Sequence, residues 1–163
     1  MTTKIKMKNY PFRRTLTLAI RAKRFGYAVF EGTETLLDWG VKSHKTARQL
    51  SFARHLENLQ RQFTPAVMLA RTAEWVSEVA LPVTLIEEFA LRTFFLEANR
   101  TNKHEVSEAV ARRYPDLAWQ LPPKRKPWKT EPGRQLIFDA ASLAVFYFAQ
   151  CDTTTPNISW TTD

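Results

Sequence analysis

Three runs of strand-forming residues follow one another near the start of this chain, and they limit its fold more than any other feature. Residues 15–20, 25–31 and 34–42 are rich in leucine, aromatic and β-branched side chains, with linkers too short to hold a helix. The linker centred on Gly32 and Thr33 is hairpin-sized. Consecutive strands pair with their neighbours, so the chain opens as an antiparallel meander. The period then changes. Phe52, Leu56, Leu59 and Phe63 recur at helical spacing within residues 46–63, while Arg48, Arg54, Glu57 and Arg61 decorate other faces. Residues 65–70 form a continuous apolar run of the kind that makes a strand buried on both faces of a parallel sheet. Residues 71–80 read as helix, 81–86 as a fifth strand, and 87–99 and 103–114 as further helices. A proline-rich connection over 115–133 leads to a last helix over 134–149. This order predicts an α/β fold: a mixed five-stranded sheet, three strands in a meander and two parallel, flanked by helices.

With 163 residues, 44% of them hydrophobic, the chain suits one domain with its own core. We expect a basic N-terminal arm over 1–13, carrying Lys4, Lys6, Lys8 and Arg13, then a single domain over 14–150. A flexible, turn-rich tail is expected over 151–163, where Trp160 is the residue suited to docking. The single cysteine, Cys151, excludes an internal disulfide and a cysteine-based zinc cluster, and His44, His55 and His104 lack ligand spacing. No apolar run approaches the roughly 18 residues of a membrane span, and the polar start lacks the core of a signal peptide. The expectation is a soluble protein of a reducing compartment, most simply the cytoplasm, with no membrane partner. Lys and Arg number 24 against 16 Asp and Glu, giving a net charge of +8 and a pI near 9.9. Such an excess favours a polyanionic partner, chiefly nucleic acid, although acidic proteins and membrane surfaces also attract basic domains.

One carboxylate interrupts the last apolar run. Asp139 lies among residues otherwise apolar enough for a buried helix, where an unpaired charge costs several kcal/mol. It is therefore capped, paired, protonated, turned to water or bound to a cation. Just before it, Trp119-Gln-Leu-Pro-Pro-Lys-Arg-Lys-Pro-Trp-Lys129 interleaves Lys124, Arg125, Lys126 and Lys129 with Trp119 and Trp128. Basic groups neutralise phosphates and indole faces stack on bases, while the prolines limit the order lost on binding. A surface linker whose tryptophans pack beneath it is the competing reading. Arg21, Lys23 and Arg24, after the first strand, would extend the basic surface, and Lys103 would line it.

Leu18-Ala-Ile20, Arg24-Phe-Gly-Tyr-Ala-Val-Phe-Glu-Gly32 and Leu37-Asp-Trp-Gly-Val-Lys42 resemble the opening of RuvC-type Holliday-junction resolvases. Phe138-Asp-Ala-Ala-Ser-Leu-Ala144 is similar to that family's last helix, and Lys103-His-Glu-Val-Ser-Glu-Ala-Val-Ala111 lies where the family has a lysine and a short helix. The resemblance spans residues 14–150 and implies a ribonuclease H-like fold. It also implies a Mg²⁺-dependent endodeoxyribonuclease with four carboxylates: one ending the first strand, one ending the fourth and two on the last helix. Two Mg²⁺ ions about 3.5–4 Å apart need such clustered oxygens.

This chain departs from that pattern. Arg21 follows the first strand, Arg71 follows Met68-Leu-Ala70, and Ser142 stands where the second helical acid belongs. Asp139 alone is kept, and arginines near two vacated positions repel a cation. The expectation is a vestigial site with no metal or cofactor, or Mg²⁺ on Asp139 if activity survives. Glu74, Glu78, Glu87 and Glu88 are candidate replacements, although they also suit solvated helix faces, and Glu87 and Glu88 suit a first helical turn. Three readings follow. The first is a degenerate RuvC-like domain that binds structured nucleic acid or acts as an adaptor in a nucleic-acid complex. The others are an endonuclease with rearranged ligands and a structural or oligomeric protein. A homodimer or another protein partner is compatible with each.

Overall fold

The computed structural model describes residues 13–43, 48–71 and 83–160, those of 48–50 and 152–160 by their backbone. The strands β1 (Arg14–Ile20), β2 (Arg24–Glu31) and β3 (Thr35–Ser43) form the expected meander, and helix α1 (Arg48–Phe63) follows. Next come β4 (Val67–Ala70), β5 (Val83–Leu85), α2 (Glu88–Glu97) and α3 (Lys103–Arg113). A 3₁₀ turn (Pro115–Gln120) precedes the long α4 (Gln135–Trp160). The sheet order is β3-β2-β1-β4-β5, with β1 antiparallel to β2 and parallel to β4, which is in turn parallel to β5. The expected α/β fold, a mixed five-stranded sheet flanked by helices, is thus present.

Alternation along β2 divides the core into two layers. Phe25, Tyr27 and Val29 face α1, where Phe52, Leu56 and Leu59 join Leu16, Leu18 and Met68 from β1 and β4. Ala28 and Phe30 face α4 and α3, meeting Phe138, Ala141, Ala144 and Phe148. The small residues of α4 let it lie close to the sheet, and Gly26 is a point of close approach. A Cβ there would collide with the Leu136 backbone carbonyl and lie 2.6 Å from the Leu136 Cβ. This contact fixes the start of α4 against β2, beside the end of β1.

Several boundaries differ from the sequence reading. A bulge between Val29 and Phe30 makes Leu37 an extra residue of β3, since Val29 pairs with Asp38 and Phe30 with Leu36. Leu36 and Trp39 can then both pack on the α4 side while Leu37 packs on the α1 side. The connection over 115–133 is not wholly irregular, because fully buried Leu117 anchors its first turn to the core. The α4 backbone is helical to Trp160, past residue 149, the expected end of the last helix, and into the tail expected from 151. Propagating a formed helix costs far less than nucleating one, so the threonines of 153–155 can continue it. The arm to residue 12, His44, the expected helix from 72 with Glu74 and Glu78, and residues 81, 82 and 161–163 lie outside the described residues, as does the Trp160 side chain.

Candidate functional site

The C-terminal ends of β1 and β4 point to one edge of the sheet, and the start of α4 crosses the same edge. Asp139, one helical turn into α4, therefore meets residues far from it in sequence. Its Oδ2 lies 3.2 Å from the Arg21 guanidinium and 3.5 Å from Lys103 Nζ, while Gln135 Nε2 donates to its Oδ1 at 3.1 Å. The carboxylate is only 9% exposed, whereas Arg21 and Lys103 are 43% and 50% exposed. Arg21 is placed by the tight β1–β2 turn, in which its N–H donates to the Arg24 carbonyl at 2.9 Å. Lys103 is placed by the capped start of α3. Asn102 accepts from the Glu105 N–H at 2.9 Å, and the Glu105 carboxylate accepts from the Thr101 N–H at 2.8 Å and its hydroxyl at 2.6 Å. Those Thr101 hydrogen bonds, the hydroxyl's foremost, hold the Glu105 carboxyl below the usual glutamate range.

The network extends on both sides. Gln135 also donates to Ser107 at 2.9 Å in the buried α3–α4 contact, and Lys103 pairs with Glu131 at 2.8 Å. The isolated acid is thus paired, with a fixed amide donor and two protein cations. Ser142 donates to the Asp139 carbonyl at 2.7 Å and contributes no charge. Arg71, following β4, pairs with Glu88 at 2.9 Å, and Arg92 reaches the same carboxylate at 3.3 Å. Glu87 is exposed and makes no side-chain cap to α2.

These residues do not fit a Mg²⁺ site. Magnesium needs several oxygen ligands and tolerates no ammonium or guanidinium at ligating distance, yet both surround Asp139 Oδ2. Among the described residues, no group of three or more His, Cys, Asp or Glu side chains is gathered closely enough to hold a metal ion.

The basic and aromatic loop lies immediately before α4. Trp119 and Trp128 are 81% and 77% exposed, so neither packs beneath the loop. Lys124, Arg125, Lys126 and Lys129 are exposed as well. Lys126 Nζ sits 5.5 Å from the Trp128 ring centroid, and Arg125 donates to the Lys129 carbonyl at 2.9 Å, which closes the turn. The loop is tied to the carboxylate network through Glu131 and Lys103. Arg24 lies over its end, where a Cβ on Gly133 would come within 2.9 Å of the guanidinium. Lys23 is exposed in the β1–β2 turn.

Arg21, Lys103 and Asp139 are therefore brought together, and Arg24 joins them through the end of the loop. Sequence reading missed Gln135, Glu131 and Arg92. Gln135 carried a usable signal, four residues before Asp139 on one helix face. Glu131 carried none, because its partner is 28 residues away across a loop.

No protein-family model matches the sequence, and no curated protein is significantly similar to it. Among solved structures, that of Thermus thermophilus RuvC superposes with a TM-score of 0.59 at 16% identity, covering 87% of this chain and 97% of that one. T. thermophilus RuvC in complex with a Holliday junction substrate superposes at 0.54, also at 16% identity, covering 85% and 96%. At this identity the likeness concerns the backbone, and this chain has the ribonuclease H-like fold of RuvC.

Proposed function

We propose that this chain is a RuvC-like domain whose metal site has given way to an internal ion-pair network, and that it binds structured nucleic acid, foremost DNA, itself or as an adaptor in a nucleic-acid complex. The observation that carries this reading is the position of Arg21 and Lys103, 3.2 and 3.5 Å from the buried Asp139 carboxylate. Two protein cations take the electrostatic place of a metal, but neither can activate water or stabilise a leaving oxygen as a Lewis acid. Binding needs no such chemistry. Lys124, Arg125, Lys126 and Lys129 neutralise backbone phosphates, and exposed Trp119 and Trp128 stack on unpaired bases such as those at a branch point. The similarity to RuvC bound to a Holliday junction supports a branched ligand.

The rival reading, an endonuclease with rearranged ligands, draws on Glu88, which lines the same cleft as Asp139. Arg71 and Arg92 share that carboxylate, so it too is compensated by protein cations. Gel retardation of four-way junctions, duplex and single strands at two salt concentrations tests binding. Incubation of the same substrates with Mg²⁺ or Mn²⁺ tests cleavage. Retardation that weakens with salt, with the strands left whole, is expected. Cleavage abolished by Asp139→Asn would overturn the proposal, and no retardation of any nucleic acid would favour a structural role.

A further inference from the structure

Beside Asp139 a cleft of about 370 Å³ opens between α2, the connection to α3, the first turn of α3 and α4. We propose that it takes a single unstacked nucleotide of a nucleic-acid strand, its phosphate on Arg100 and Lys103 and its base on an apolar wall, without a divalent metal. The inference rests on the proposed binding of nucleic acid and specifies where one unit of the strand lies.

The cleft is lined by four cationic side chains, Arg71, Arg92, Arg100 and Lys103, against two acids, Glu88 and Asp139. Both acids are already shared between cations, Glu88 by Arg71 and Arg92, and Asp139 by Arg21 and Lys103, while Lys103 also pairs with Glu131 outside the cleft lining. Arg100 lies within no ion-pair distance of an acid among the described residues, although, after the Thr101 hydrogen bonds, its charge helps to hold the Glu105 carboxyl low; it follows Asn99, whose φ of 62° turns the chain out of α2. The cleft therefore holds positive charge that its own acids do not cancel. Its other wall is Leu91, Phe95, Leu96 and Val106, with Leu96 48% exposed. A plain anion would leave that wall wet, and an apolar ligand would use none of the cleft's cationic side chains. A phosphate joined to a flat heterocycle meets both needs, and the volume lies toward the small end of ligand pockets, about 300–1,000 Å³. A divalent cation has no place among these guanidinium and ammonium groups.

Calorimetric titration of the full chain in EDTA with thymidine 5′-monophosphate, thymidine, inorganic phosphate and a thymidylate pentamer tests the assignment. The monophosphate should bind about tenfold more tightly than thymidine or phosphate, the pentamer more tightly still, and Mg²⁺ should not be required. Arg100→Gln should weaken monophosphate binding about tenfold, as expected for one charge-assisted hydrogen bond. Leu96→Glu, at a half-exposed position that leaves the core intact, should weaken it too. Phosphate binding as tightly as the nucleotide, a requirement for Mg²⁺, or indifference to both variants would each overturn the inference. Junction retardation without any monophosphate binding would end it while leaving the proposed function standing. Monophosphate binding without retardation of any nucleic acid would overturn both, and the cleft would then belong to a free nucleotide.

Discussion

Neutralising Asp139 separates a paired carboxylate from a metal ligand by the sign of its effect on stability. In a cluster of metal-ligating acids the like charges repel one another, so replacing one by its amide relieves repulsion and stabilises the metal-free protein. Here the nearest charges are Arg21 and Lys103, and Asp139→Asn removes their attraction. Each cation is about half exposed, which alone would limit its pair to the 0.2–1 kcal/mol of solvent-screened bridges. The carboxylate is 9% exposed, which moves the loss toward the roughly 3–5 kcal/mol seen when buried pairs are broken. Asparagine keeps an oxygen for Gln135. A loss of about 1–2 kcal/mol follows. In urea, with an m-value of about 2 kcal/mol/M, the midpoint should fall by roughly 0.5–1 M with m unchanged. Affinity for nucleic acid should hold or rise, because a negative charge leaves the cleft. A midpoint that rises would refute the ion-pair account.

Four further outcomes can be checked directly. Replacing Lys124, Arg125 and Lys126 together by alanine should weaken binding to all sequences and reduce the slope of log affinity against log salt by up to about 3, as read by gel retardation. Trp128→Ala should cost about 1–3 kcal/mol of single-strand binding if one base stacks there, with an unchanged melting curve because the ring is 77% exposed. Gly26→Ala should destabilise the fold by about 1–3 kcal/mol in denaturant titration, since the added methyl meets the Leu136 backbone. Thr101→Val should raise the Glu105 pKa toward the ordinary glutamate value in an NMR titration. The native carboxyl is held low, so its contribution to stability is complete above the unfolded pKa and disappears as pH falls through the folded one.

The sheet was legible because its strands announce themselves locally. Phe25, Tyr27 and Val29 alternate with Gly26, Ala28 and Phe30, and that alternation is the division between the two core layers. Asp139 was legible as an anomaly, one charge in an apolar helix. The identity of its partner was not, because Arg21 lies 118 residues away and only the closure of α4 over the end of β1 brings the two together. The bulge at Leu37 was hidden for a different reason. Leu36 and Leu37 are equally apolar, so hydrophobic pattern alone cannot say which of them is the extra residue.

The centre of the sheet depends on the end of the chain. During synthesis β1 and β2 leave the ribosome long before α4, and until that helix arrives Ala19, Ala28 and Phe30 lack the surface that buries them. The Arg21–Asp139 bridge cannot form before α4 emerges, so its formation reports that this helix has docked over the end of β1. A ribosome stalled before Gln135 would display a sticky half-sheet rather than a smaller working domain, which makes the final helix the step on which solubility of the nascent protein hangs.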